Sequence, residues 1–368
     1  MLMAPEMILL LKAASQGKKD LPLATFGEPQ VRWAIETGFG PLLFQTTQAD
    51  PEAATSPLWP LLQSANLTAQ MLAGEQLDAM GDIIDTCQGS VPALTLLKGI
   101  SICDQHYPEP HFRPMRDIDF LVEAEAVPTV ESLLLKLGYR QQSESPPEVY
   151  KNLHHSMPFF HPQRGVWVEV HRQLFPRESK VGVDNVFSPK NVHAQLRPSE
   201  FRGRKVTRLS NELQIVYIAS HWAQDFKVIG GIVEMADMIY LLRNAKDTLN
   251  WEQILSWLSG SAAATNLYLM LTFLDKYHLI DIAPEALHGL FLRQRSFGQM
   301  NLRIMHTLID RYLVDGRIFG RVLNLERTDF LWTSLLSPTA PSQNLMVIAR
   351  QFLQGRLRRL KLILAQGR

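Results

Sequence analysis

Cysteine is nearly missing from this 368-residue chain: only Cys87 and Cys103 occur, too few to staple a fold of this size. A disulfide-built secreted scaffold is excluded, and a reducing, cytoplasmic setting is the expectation. Long hydrophobic runs are also missing. The longest uninterrupted apolar stretches reach about five residues, far short of the roughly 18–20 that cross a bilayer. The opening MLMAPEMILLLKAASQ has no basic segment ahead of its apolar run, so no signal peptide is expected. Internal repeats and low-complexity tracts are absent too. What remains is ordinary globular material, 46% hydrophobic and 20% charged, with a formal net charge of +1.

That near-neutral total hides an asymmetry. Residues 291–368 carry thirteen Arg and Lys against four Asp and Glu, a balance of +9, which leaves −8 on residues 1–290. After Asp329 there is no acid at all. Arg350, Arg356, Arg358, Arg359 and Lys361 interleave with Phe352, Leu353, Leu357, Leu360 and Leu364 in an amphipathic basic helix expected over 342–366. Such a helix suits a polyanion such as RNA, or equally packs its leucines and leaves its arginines in water.

Periodicity divides the chain into three. Residues 1–88 read as helices near 4–16, 29–46 and 57–88, the last with apolar residues at three- and four-residue spacing from Leu58 to Ile84. From 89 to 208 the pattern alternates. An apolar run 94–97 leads into a two-turn helix ending at Tyr107, then a strand 117–122, a helix 127–137 closed by Gly138, and strands at 139–142, 153–160 and 166–171. From 209 to 368 helices return, at 211–226, 231–245, 251–260, 262–279, 295–315 and 342–366. The fold class expected is α+β: a small mixed-sheet core flanked by N-terminal and C-terminal helical regions.

Three short motifs in the core carry chemistry. In Asp117-Ile118-Asp119-Phe120, strand alternation puts both carboxylates on one face, about 6–7 Å apart at the backbone. Acids are depleted in strands and need a partner there, and a shared divalent cation is one. The plainer reading is an exposed face paired with Arg113, Arg116 or a lysine. In Leu97-Lys98-Gly99-Ile100-Ser101, glycine permits close backbone approach, Ser101 caps the helix or binds a phosphate oxygen, and the helix start offers free N–H groups to an anion. In Val166-Trp167-Val168-Glu169-Val170-His171, the face opposite the valines presents Trp167, Glu169 and His171, so Glu169 is a third acid or a surface residue. Lys98 and Arg113 are candidate phosphate-binding cations, or else members of surface ion pairs. His154, His155, His161 and His171 lie close in sequence, but no cysteine or tight His spacing accompanies them, which argues against zinc. Asp237, on an apolar helix, is expected to pair with an arginine of the core.

Leu97-Lys98-Gly99, Tyr107-Pro108, Arg113 to Val122, Leu137-Gly138-Tyr139 and Val168-Glu169-Val170-His171 together resemble the uncharacterised bacterial nucleotidyltransferases of the DNA polymerase β-like superfamily. His221-Trp222 and Glu234 to Asp237 extend the resemblance. It implies that Gly99 and Ser101 form the phosphate turn, that Asp117, Asp119 and Glu169 are the metal-binding and catalytic acids, and that Mg²⁺ and an NTP, ATP above all, are used. The acceptor is left open among RNA, protein and small molecules. Two departures stand out: Ile100 where a second glycine is usual, and a long spacer, 102–116, before Asp117. A catalytically inactive nucleotide-binding or scaffolding protein is therefore the rival reading. A glycosyltransferase of the Asp-x-Asp type is a further rival, but it would need about 100 residues of βαβ structure ahead of the motif, where helices stand.

Overall fold

The computed structural model describes residues 5–310 and Leu313, apart from 144, 152, 178, 180, 226–230, 246 and 295–297. The basic segment 342–366 and its polyanion-binding role lie outside the described residues.

Four helices come first: α1 (Pro5–Ser15), α2 (Glu28–Glu36), α3 (Gly40–Thr47) and the long α4 (Trp59–Cys87). The single helix expected over 29–46 is two, because Gly38 adopts φ +85° and turns the chain. Then β1 (Thr95–Leu96), α5 (Lys98–His106), β2 (Asp117–Leu121), α6 (Val127–Lys136), β3 (Arg140–Gln141), α7 (Pro147–Tyr150), β4 (Phe159–His161), β5 (Val166–His171), α8 (Pro189–Ala194), β6 (Leu196–Phe201) and β7 (Arg204–Leu209) build the core. Helices α9 (Asn211–Asp225), α10 (Ile232–Ala245), α11 (Trp251–Trp257), α12 (Ala262–Lys276), α13 (Pro284–Arg293) and α14 (Gly298–Asp310) follow. The strand expected from 153 shrinks to β4, and of 153–158 only His155 pairs, in an isolated antiparallel bridge to His171.

The seven strands form one mixed sheet in the order β3-β4-β5-β2-β1-β7-β6. β2 runs parallel to β5 and antiparallel to β1, while β1 runs parallel to β7. β6 and β7 form a hairpin through Arg202 (φ +49°) and Gly203 (φ +81°), the two left-handed residues that a twisted two-residue turn requires. Pro198, which cannot donate to a ladder, sits on β6 at the sheet edge.

Side-chain alternation sorts the sheet into two faces. Ile118 and Phe120 of β2 and Val166, Val168 and Val170 of β5 are buried with Ala79, Met80, Ile83 and Ile84 of α4 and Val130 and Leu134 of α6. The odd-numbered residues of β2 and β5 therefore point the other way, toward α9 and α10. A second, larger core joins α1–α3 to α9, α10 and α12. Phe120 and Val168 are fully buried, and losing Phe120 to alanine would cost about 3–5 kcal/mol. A rigid sheet thus carries the polar face.

Candidate functional site

On that polar face, β2 and β5 pair with Asp117 opposite Trp167, Asp119 opposite Glu169 and Leu121 opposite His171. Parallel pairing brings Glu169 and His171 beside Asp119, although some fifty residues separate them in sequence. The Asp119, Glu169 and His171 side chains each offer a ligand atom, all within 4.8 Å of one another, and could hold a metal ion.

From the opposite edge comes Lys98. The Leu97 amide donates to the Asp119 carbonyl at 3.0 Å, which extends the β1–β2 ladder by one residue. Lys98 then takes φ +42°, a conformation costly for a residue with a side chain, and starts α5. Its Nζ donates to Asp119 Oδ1 at 2.9 Å. His171 Nε2 lies 2.6 Å from that same oxygen and 3.6 Å from Glu169 Oε2. Burial opposes ionisation of Asp119, but Lys98 and His171 outweigh it and hold its carboxyl well below the usual range. In return, His171 is held above its ordinary value by Asp119 and Glu169 against the opposing effect of burial.

Asp117 differs. Burial and the neighbouring Asp119 charge push its carboxyl up to about 7, with Lys98 only partly compensating. A half-buried carboxylate beside another, short of counter-charge, is what a divalent cation relieves. Behind the acids, the rings of His154, His155 and His171 pack edge to face or tilted at centroid distances of 4.7–5.5 Å. Burial, with His171 and His155 alongside, depresses His154 to about 2, so it stays neutral.

A cleft of about 310 Å³ opens in front. Lys98, Gly99, Asp117 and Asp119 form its floor, Arg113–Pro114 and Arg116 one side, and Tyr217, His221, Val233 and Glu234 of α9 and α10 the other. Gly99 is needed because the 113–115 loop lies directly on it: a Cβ there would meet the Arg113 guanidinium and stand 2.8 Å from Met115 Cγ.

Two expected phosphate ligands are otherwise engaged. Because α5 begins at Lys98, Ser101 falls inside its first turns rather than at the cap. Ser101 is fully buried, and its hydroxyl donates to Gln105 Oε1 at 3.4 Å, away from the cleft. Arg113 lines the cleft, but its guanidinium is engaged by Asp237, Nε at 3.0 and 3.2 Å and Nη2 at 2.8 Å. Tyr107 also donates to Asp237, at 2.9 Å. The pairing expected of Asp237 is thus with Arg113, and it ties α10 to the loop that leads into β2. The sequence put His171 on one face with Glu169, open between a role behind that acid and a stacked core histidine. Its place in the cluster depends on the β2–β5 pairing.

The middle of the sheet thus carries paired acids on β2, with a glycine turn entering a helix at their side. A protein-family model described as uncharacterised nucleotidyltransferase matches residues 28–278, and the chain belongs to that family. The match spans α2 to the end of α12, so it takes in the sheet, the cleft and both of its walls. No curated protein and no solved structure matches the chain.

Proposed function

We propose that this protein is a Mg²⁺-dependent nucleotidyltransferase of the DNA polymerase β-like type, which moves an NMP group from an NTP, ATP foremost, to a hydroxyl or phosphate acceptor. The observation that carries the reading is the in-register pairing of Asp119 with Glu169 beside the Lys98–Gly99 turn. It gathers three acids from two strands at the mouth of a helix. The donor set is carboxylate oxygen facing a cleft, which fits a hard cation. Asp117 and Asp119 would hold it, with Glu169 as a third ligand. When bound, Mg²⁺ supplies charge neutralisation for the phosphates and acidity for the attacking hydroxyl.

The chain's own residues do the rest. The first N–H groups of α5 have no acceptor within the helix, and where Gly99 lines the cleft they would bind phosphate oxygens. Lys98 sits between Asp119 and that helix start, placed to move from the carboxylate to the departing pyrophosphate. An acceptor oxygen forms a bond to the α-phosphorus as the bond from that phosphorus to the bridging oxygen breaks. Pyrophosphate leaves, and Glu169 takes the acceptor's proton. Arg113, held by Asp237, positions the Gly99 turn rather than touching phosphate.

Incubation with α-labelled NTPs and cell extract tests the reading. Label should enter RNA, protein or a small molecule, with pyrophosphate released in step, and Asp117→Asn should abolish both. Nucleotide binding without turnover would instead support the inactive reading, which the Lys98–Asp119 ion pair and Ile100 favour.

A further inference from the structure

The loop that leads into β2 has two sides. On one lies the cleft with Lys98 and the acids. On the other, between α2 and α4, runs a groove of about 500 Å³, larger than the cleft. Arg113 and Pro114 line both hollows, and the turn after α2 is divided between them, Thr37 lining the cleft and Gly38 the groove. Gly38 lies so near the loop that a Cβ there would stand 2.5 Å from Pro114 Cβ. That contact is the sill the two hollows share.

The sequence of α4 makes the groove. Ala65, Ala69 and Ala73 recur every four residues on one stripe of the helix, where larger side chains would fill the space. Leu61 and Leu72 line it as well, at 38% and 59% exposure, so its apolar surface is open to solvent. Inside, one polar atom is left over. Gln76 is only 8% exposed; its amide donates to the Met115 carbonyl at 3.0 Å, while its side-chain oxygen accepts no hydrogen bond. Such an atom calls for a donor.

Uncommitted positive charge is what the groove lacks. Arg32 is paired with Glu28 at 2.7 Å, Arg113 is held by Asp237, and burial keeps His111 below its ordinary pKa against the pull of Glu109. Glu36, exposed, adds an acid. A nucleic acid is gripped chiefly by Lys and Arg on its phosphates, and this surface has none to give. A concave, mainly apolar hollow with few polar groups suits a small molecule.

We propose that the groove is the acceptor site and that the acceptor is an uncharged, mainly apolar alcohol. Its body lies between α2 and α4 with a donor group on the Gln76 oxygen, and its reacting hydroxyl crosses the Gly38–Pro114 sill into the cleft. There the hydroxyl oxygen takes the NMP group, its proton passes to Glu169 and pyrophosphate leaves. The assignment rests on the nucleotidyl-transfer reading and narrows its acceptor.

The test uses the full-length protein, α-labelled ATP, Mg²⁺ and cell extract separated beforehand into RNA, protein and butanol-soluble neutral compounds. Label is expected in the butanol-soluble fraction alone, with pyrophosphate released in step. Ala69→Trp, which fills the groove, should cut that labelling about tenfold or more, yet bind ATP with Mg²⁺ to within about twofold of wild type by calorimetry. Should that variant fail to fold by circular dichroism, Leu72→Trp, at an exposed position of the same groove, is read in its place. Label entering RNA or protein, or undiminished labelling by the filled-groove variant, would overturn the proposal and leave nucleotidyl transfer standing. ATP binding with no label in any fraction would instead sink transfer itself, and the acceptor site with it.

Discussion

Replacing Asp237 by alanine should be among the most destabilising single changes in the chain, although Asp237 holds no place in the chemistry. Its side chain is 2% exposed and that of Arg113 9%, so the pair lies out of water. Three guanidinium contacts between 2.8 and 3.2 Å and the Tyr107 hydroxyl at 2.9 Å satisfy the carboxylate. Removing it leaves an arginine that cannot lose its proton, because a guanidinium stays charged at any ordinary pH. An orphaned buried charge of this kind costs about 3–5 kcal/mol. The unpartnered Tyr107 hydroxyl adds about 1–3 kcal/mol where water cannot reach it. Urea denaturation of Asp237→Ala should therefore show a loss of at least about 3 kcal/mol, and Arg113→Met added to it should recover a good part, since the stranded charge is then gone. A loss under about 1 kcal/mol, or a double variant as unstable as the single one, would show that the pair is solvated and that α10 is not tied to the 113–115 loop in this way.

Asp117→Asn should abolish nucleotidyl transfer yet stabilise the metal-free protein at pH 8 by roughly 1–3 kcal/mol, because it removes a carboxylate whose ionisation burial and Asp119 oppose; equal stability of the two proteins by thermal denaturation would contradict this. The sign in pH follows from the same shift. The folded chain keeps the Asp117 proton up to about 7 while the unfolded chain loses it near 4, so the wild type should lose stability relative to Asp117→Asn as pH rises from about 4 to about 7, then run parallel to it. Mg²⁺ binding followed by calorimetry should weaken as pH falls below about 7, and an affinity flat from pH 5 to 8 would remove Asp117 from the ligands. Gly99→Ala should cost roughly 1–3 kcal/mol by overpacking against Arg113, which Asp237 prevents from moving aside, and should reduce transfer activity; wild-type melting behaviour would show that the loop gives way.

Much of the secondary structure is local and was legible. The strand expected at 166–171 is β5, and that at 117–122 is β2 less one residue. The helices expected at 57–88, 211–226 and 231–245 are α4, α9 and α10 to within two residues at each end. Other elements were not. The β6–β7 hairpin turns on Arg202-Gly203, a weaker turn signal than Asn-Gly, and Pro198 disguises the strand before it. Helices α7, α8 and α13 are not among the expected elements. Gly38 was absorbed into one helix because a single glycine inside a helical pattern does not by itself declare a turn.

The site divides the same way. Alternation along a strand is a property of the strand itself, so the sequence alone determined that Asp117 and Asp119 share one face and Glu169 and His171 another. Only the tertiary structure decided that these are one and the same face. Which strands become neighbours, and in which register, depends on how the valine and phenylalanine sides bury themselves against α4 and α6. That choice, made by packing across some fifty residues of chain, turned Lys98 back on Asp119, gave Arg113 to Asp237 and placed His171 between two carboxylates. Nothing in the spacing of those residues encodes it, because contacts between distant segments are paid for by the whole core and not by the groups that meet.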